Sequence, residues 1–334
     1  MTATMAATWL AAALSVGAMG FAIQRGGTCT VAAVDEVLNH RRGHRLMAML
    51  EASLWVAGGL VLAQLGHLAG SMPGGYALSV WTFIGGALLG VGAWINRACV
   101  FGAVARLGSG DWAYAATPLG FYGGCLTEMA LFPRPDATAL SEASALFRVS
   151  NLFALGFVVF VLWRVRPGLR ALRGPDRVGR LSQAVWAPHA ATVVIGVSFV
   201  VTLLLAGRWA YTDVLADLAR AMGGGSSTLA VPAVLLIALY VGAFIGGRTA
   251  GRWRSTSLAA VPLLRCFAGG VVMGWGSLLI PGSNDGLILI GIPLMRPYAW
   301  LAFASMFGTI AAAMKMHRAW SVKRPERLAV PEQD

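Results

Sequence analysis

The chain has 334 residues, of which 57% are hydrophobic and 12% charged, with a net charge of +12 and a mean hydropathy of +0.69. A water-soluble domain carries about twice that charged fraction, and apolar runs long enough to cross a bilayer recur along the whole length, so the composition excludes a soluble globular protein and points to an all-α polytopic membrane protein. The positive charge is mostly loop arginine without interleaved aromatics, which argues for topology control and against a nucleic-acid partner; four scattered cysteines without a CxxC argue against a disulfide framework or a zinc site.

Residues 6–23 lack a basic region ahead of their apolar core and read as a first span, not a cleaved signal. Further spans are predicted at about 45–66, 76–95, 112–132, 147–165, 188–206, 229–248, 260–280 and 297–316, nine in all with 6–24. The loop 164–180 carries Arg164, Arg166, Arg170, Arg173, Arg177 and Arg180 and is assigned to the cytoplasm. Counting outward then places Arg41, Arg42, Arg45, Arg248, Arg252, Arg254 and the tail with Lys315, Arg318, Lys323 and Arg324 on the same side. Loops 67–75, 133–146 and 207–228 carry little net positive charge and fall outside.

The nine spans form a single membrane domain, 1–334, that divides into halves: 6–132, a linking helix and cytoplasmic loop at 147–180, and 188–316. An odd linker inverts the second half relative to the first, and inverted repeats place a substrate site near the bilayer midplane. An internal match supports the division. FIGGALLGVGAWINRACVFG at 83–102 aligns without a gap with FAGGVVMGWGSLLIPGSNDG at 267–286, an offset of 184. Phe83, Gly85, Gly86, Gly90, Gly92 and Gly102 match Phe267, Gly269, Gly270, Gly274, Gly276 and Gly286, and Cys99 falls opposite Ser283.

Three stretches break the spans: RGGTCTVAAVDEVL at 25–38, NRACVFGAVARL at 96–107 and PGSNDGLILIGIPL at 281–294. Each is a turn leading into an apolar segment too short to span, suited to a re-entrant helix. Irregular backbone at membrane depth survives where protein or a water-filled cavity satisfies it, so these are candidate lining elements, with ordinary surface loops as the alternative. A glycine stands nine positions before Cys29, Cys99 and Ser283. The Gly86-Gly90 and Gly270-Gly274 pairs have the spacing that lets helix backbones touch.

Cys29 and Cys99 each open a short helix, beside Arg25 and Arg97 respectively. The free N–H groups and positive end of such a helix suit an anion, and a soft thiol suits one that carries sulfur. Cys125 and Cys266 read as small buried hydrophobes. Asp285 follows Ser283 and Asn284; an intramembrane acid is a functional candidate, but Ser-Asn-Asp is also N-cap chemistry, which is the stronger reading.

These motifs carry a resemblance. NRACVFGAVARLGSGDWAYAATPLGFYGG at 96–124 resembles the second cysteine motif of the YeeE/YedE sulfur-transport family, GFAIQRGGTC at 20–29 its first, and GWGSLLIPGSNDGLILIGIP at 274–293 its third. The resemblance covers nearly the whole chain. It implies a permease of the bacterial inner membrane for thiosulfate or a related sulfur species, with cysteines along the path and a small TusA-like sulfur-carrier protein as partner. The family's third motif has Gly-Cys-Asn where this chain has Gly282-Ser283-Asn284; a hydroxyl is harder than a thiol and forms no persulfide, which sets this chain apart from a three-thiol relay.

The sequence therefore predicts a transporter for a small sulfur-containing anion, not an enzyme and without a cofactor. Its expected pathway residues are Cys29, Cys99, Ser283, Asn284, Arg97 and Arg25. Two other readings stand beside it: a membrane thiol enzyme that moves sulfane sulfur or electrons by persulfide or disulfide exchange, and a membrane subunit with no transport of its own.

Overall fold

A computed structural model describes residues 3–68, 70, 72, 74–132, 138–140, 144–172, 185–222, 230–251, 253–280 and 284–322. The described chain is helical throughout, apart from one two-residue antiparallel pairing of Gly75–Tyr76 with Ala139–Leu140. The helices are α1 (Ala3–Gly26), α2 (Thr30–His40), α3 (His44–Leu65), α4 (Val80–Asn96), α5 (Val100–Gly108), α6 (Ala116–Leu131), α7 (Ala145–Arg148), α8 (Ser150–Leu172), α9 (Pro188–Ala206), α10 (Tyr211–Met222), α11 (Ala230–Thr249), α12 (Ala260–Leu279), α13 (Asn284–Gly286) and α14 (Pro297–Val322). A 3-10 turn at Trp112–Ala115 leads into α6, and α13 runs on as a π-helical segment at Leu287–Gly291.

Among the described residues, seven helical segments are long and apolar enough to cross a membrane. They cover seven of the nine predicted spans. The other two predictions, 112–132 and 147–165, fall on α6 and α8. The 16-residue α6 is too short alone, but with its leading 3-10 turn it runs unbroken from Trp112 to Leu131. The 23-residue α8 carries Arg164 and Arg166 in its second half. It is fastened to α3: the Phe157 ring takes the space that a side chain on Gly58 would need, and Arg164 Nε lies 2.8 Å from Glu51 Oε1. His189, at the start of α9, pairs with the other Glu51 oxygen.

The long helices form two interleaved groups. One packs α1 against α11 and α9, and α9 against α3; the other packs α12 against α6 and α4, and α4 against α14. Glycine makes the second group possible. Gly85 and Gly92 of α4 face Gly276 and Gly269 of α12 so closely that a Cβ on Gly92 would sit 2.7 Å from the Gly269 carbonyl oxygen. The alternate glycines turn outward to the next helices: Gly86 and Gly90 meet Ala302 and Met306 of α14, and Gly270 and Gly274 meet Thr117 and Phe121 of α6. The matched glycines of the two stretches therefore contact each other with one face and flanking helices with the other. Without a hydrophobic driving force between helices in lipid, such backbone approach is what holds them together.

A shift of 184 residues lays α1, α3, α4 and α6 over α9, α11, α12 and α14, and α5 over α13 with its π-helical continuation. It also lays the first break, 25–38, over 209–222, where the structure has α10. The low net charge of 207–228 predicts an outer loop there, and the structure has a helix instead. The charges Arg208, Asp213, Asp217 and Arg220 concealed a fourth short helix whose Val214, Leu215, Ala216 and Ala219 are buried.

Candidate functional site

Two helices end alike and deliver the two cysteines. At the end of α1, Thr28 N–H donates to Ile23 O and Gly27 N–H to Gln24 O, both at 3.3 Å, with Gly27 left-handed at φ 56°. At the end of α4, Ala98 N–H donates to Ala93 O and Arg97 N–H to Trp94 O, both at 3.1 Å, with Arg97 left-handed at φ 60°. This paired-bond stop closes a helix by satisfying its last carbonyls. In each case the second residue after the left-handed one is the cysteine, in extended backbone, at the N-cap of the next helix: Cys29 for α2 and Cys99 for α5.

Neither thiol makes a capping hydrogen bond of normal geometry to its own helix, although each faces first-turn N–H groups there, and each also reaches across to the other helix. Cys99 Sγ accepts from Thr30 N–H, the first residue of α2, at 3.2 Å. Cys29 Sγ lies over the first turn of α5, where a Cβ on Gly102 would sit 2.6 Å from it. The Cys29 sulfur also faces the Cys99 side chain and the backbone N–H groups of Val31, Ala32 and Cys99. Both thiols are free and buried, with Cys99 wholly inaccessible. Two helix N-termini, each carrying partial positive charge and unsatisfied donors, thus converge on two soft sulfur atoms.

Asn96 holds this arrangement. It is fully buried; its Nδ2 donates to Ala98 O at 2.8 Å, its Oδ1 accepts from Thr117 Oγ1 at 3.0 Å, and its carbonyl accepts from Tyr114 OH at 3.1 Å. The sequence reading marked the break at Asn96 without assigning it a role; the signal was a buried-type amide directly ahead of a turn. Of the two predicted arginines, Arg97 is exposed and serves the turn by its backbone. Arg25 is buried, its guanidinium donating to Thr249 Oγ1 at 2.9 Å and lying 5.0 Å from the Phe21 ring centroid, so it ties α1 to α11. Cys125 and Cys266 are buried within helices, away from this crossing.

The second pair of short helices meets in the same manner with different chemistry. Gly207, at φ 78°, follows α9. Thr212, in the first turn of α10, donates from its N–H to Asp285 Oδ2 at 3.3 Å and from its hydroxyl to Asp285 Oδ1. Asp285 therefore caps another helix, α10, across the fold, where the sequence had suggested a cap for the helix that follows it. Ser283 lies outside the described residues; Asn284 is the first residue of α13. Tyr211 OH donates to Val100 O at 3.4 Å and ties α10 to α5. Ser53 Oγ donates to Ile288 O at 2.6 Å, satisfying a carbonyl of the π-helical segment.

Two small cavities adjoin these crossings. One, with about 10 Å³ of free space, is bordered by Phe101, Trp209, Tyr211, Leu289 and Asp285. The other, also about 10 Å³, is bordered by Gly27, Thr28, Cys29, Arg45 and Thr192, so each has room for a single water. Arg45 donates to Gly27 O at 3.0 Å and pairs with Glu36 at 3.3 Å, which fixes the turn before Cys29. Among the described residues, no group of His, Cys, Asp and Glu has the arrangement of a metal site.

The profile of the sulphur transport family matches residues 25–312, from the first break to the last long helix. The chain belongs to the sulphur transport family. Over 349 aligned positions it is 25% identical to the thiosulfate transporter TsuA of Escherichia coli (strain K12), with 93% of this chain and 94% of that protein covered. The chain is thus a multi-pass membrane protein of a transport family, and the crossed thiols lie within the matched region.

Proposed function

We propose that this protein is a permease of the bacterial inner membrane that carries a small sulfur-containing anion, thiosulfate foremost, past Ser283 and Asn284, then Cys99, then Cys29. The observation that carries the reading is the crossing itself: two buried thiols set over the N-termini of α2 and α5. A dehydrated anion in hydrocarbon is very costly. At the crossing, backbone N–H groups at two helix ends replace its water, and thiol S–H groups make weak, polarisable contacts with its sulfur end. The contacts are many and individually modest, which favours release as well as entry. No bond in the substrate breaks. Thiosulfate transport by TsuA, with this chain aligned over nearly all of it, supports the choice of anion.

In this reading the cavity bordered by Phe101 and Asp285 is the approach from outside, and the cavity bordered by Cys29 and Arg45 is the exit. Residues 6–132 and 188–316 form inverted halves joined by the segment 147–180, and a TusA-like sulfur carrier is a partner on the cytoplasmic side. The recurrence of helix order at an offset of 184 supports the division. Arg25 and Arg97 flank the seat and shape its turns. The test is uptake of labelled thiosulfate into liposomes holding the purified protein and no reductant. Accumulation above empty liposomes is expected; a requirement for a thiol reductant in stoichiometric amount would favour sulfur-transfer chemistry, and no uptake under either condition would leave a subunit without transport of its own.

A further inference from the structure

Asp285 is a carboxylate in an apolar setting. It is 2% exposed, and its cavity is otherwise walled by side chains such as Met19, Phe101, Phe199, Trp209 and Leu289. Both oxygens are engaged by Thr212, through its N–H and its hydroxyl. Thr212 is the second residue of α10, so the carboxylate sits at that helix's positive end, where a negative charge is stabilised. In the other pair of short helices a first-turn N–H, that of Thr30, meets the sulfur of Cys99 instead, while Thr212 itself falls opposite Thr28 at the offset of 184. Asp285 also lies two residues past Ser283, the residue that aligns with Cys99.

We propose that Asp285 is a specificity-determining residue: a built-in anion that fills the N-terminal seat of α10 and leaves the thiol crossing as the place where a transported anion rests. This rests on the transport reading. A tethered carboxylate competes for the seat at an effective concentration no free solute matches. Its fixed charge also repels an anion that approaches past Phe101, so only an anion with an additional favourable contact further on is drawn through. Thiosulfate has that contact in the two thiols. Sulfate, with hard oxygens alone, does not. Removing the charge opens a hard N–H seat that takes either anion, and discrimination falls.

Two measurements test this. The first is inhibition of labelled thiosulfate uptake by sulfate in liposomes holding wild type or Asp285→Asn, which keeps the side-chain shape and an acceptor for Thr212. The sulfate concentration for half inhibition is expected to fall about tenfold in the variant, the factor that corresponds to 1.4 kcal/mol; unchanged discrimination overturns the proposal. The second needs no transport: thermal unfolding of purified Asp285→Ala with and without formate. Its unfolding temperature is expected below that of wild type and to be restored as formate refills the seat, while wild type is unmoved. A loss that formate does not restore means Asp285 serves only as a hydrogen-bonding strut and overturns the proposal. Should wild type take up no thiosulfate, the transport reading fails while the formate experiment still judges the seat; should Asp285→Ala not fold even in formate, the sulfate experiment decides.

Discussion

The two meetings of short helices share a backbone plan and differ in what fills it. At the first, α2 and α5 are bridged by sulfur: Thr30 N–H to Cys99, and Cys29 against the first turn of α5. At the second, α10 and the segment opening at Asn284 are bridged by a charged carboxylate, Thr212 to Asp285. A helix end offers the same partial charge in both places. What differs is whether the protein supplies a full counter-charge of its own. In the proposed reading, a seat filled by a tethered carboxylate is already occupied, and a seat lined by thiols stays open to a diffusing anion. The asymmetry teaches that one backbone plan can be closed by different chemistry, sulfur at one meeting and a carboxylate at the other.

The comparison breaks most completely at the thiols. Cys99→Ala and Cys29→Ala are each expected to reduce thiosulfate uptake to background at matched protein level, while Cys125→Ala and Cys266→Ala stay near wild type. Growth on thiosulfate as sole sulfur source, in a host without other uptake systems, reads this directly, and normal growth of Cys99→Ala removes the thiol crossing from the pathway.

A pair of glycines sharpens it next. Gly102 and Gly286 are matched across the offset of 184. A Cβ on Gly102 would lie 2.6 Å from Cys29 Sγ, whereas no heavy atom of the described residues lies within 4 Å of one on Gly286. Gly102→Ala is expected to force the thiols apart, with an overpacking cost of about 1–3 kcal/mol and a larger proportional loss of uptake than of stability. Gly286→Ala is expected to be neutral or slightly stabilising, by up to roughly 1 kcal/mol from reduced chain entropy. Thermal unfolding and uptake measured together on both variants check the contrast; equal effects would show that the two crossings are packed alike.

Asn96 tests the frame behind the first crossing. Asn96→Ala leaves the Thr117 hydroxyl and the Ala98 carbonyl without this partner in a buried place, at a cost of about 1–3 kcal/mol, and Tyr114→Phe removes a single bond, worth about 1 kcal/mol. Uptake should follow that order. The smallest expected change is Ser283→Cys, which restores the cysteine of the family's third motif: relative uptake is expected to shift toward thiosulfate against sulfite or sulfate with little change in protein abundance, measured by competition.

Much of this architecture was legible in the sequence because lipid imposes length and apolarity on helices that span it, and seven segments such as 188–206 and 229–248 carry both plainly. The breaks at Cys29 and Cys99 were legible from turns followed by apolar segments too short to cross. The helix α10 was not, since its charged residues obey no span pattern; only the internal offset, carried from 25–38 to 209–222, points to it. The crossing of the thiols was also hidden. Position in the chain shows that Cys29 and Cys99 each begin a helix, but not that each lies over the other's helix, because that depends on the tertiary meeting of α2 with α5. The backbone part of Arg97 was hidden for a related reason: the sequence shows a charge next to a cysteine, but not the left-handed turn that the residue makes, which most residues avoid.

The glycine contacts also limit how this protein can move. A Cβ on Gly20 would fall 1.9 Å from the Leu239 carbonyl oxygen, one on Gly242 equally near that of Gly17, and one on Gly276 2.6 Å from that of Gly85. All three junctions join a helix of residues 3–131 to one of residues 188–322, backbone on backbone. Sliding such surfaces past one another by even a fraction of a helical turn drives carbonyls into Cα positions, so neither sequence half can serve as a rigid carriage travelling along the other. If the protein transports as proposed, its movement falls to the three-residue turns 27–29 and 97–99 and the side chains they present, and not to the helices that these glycines lock together.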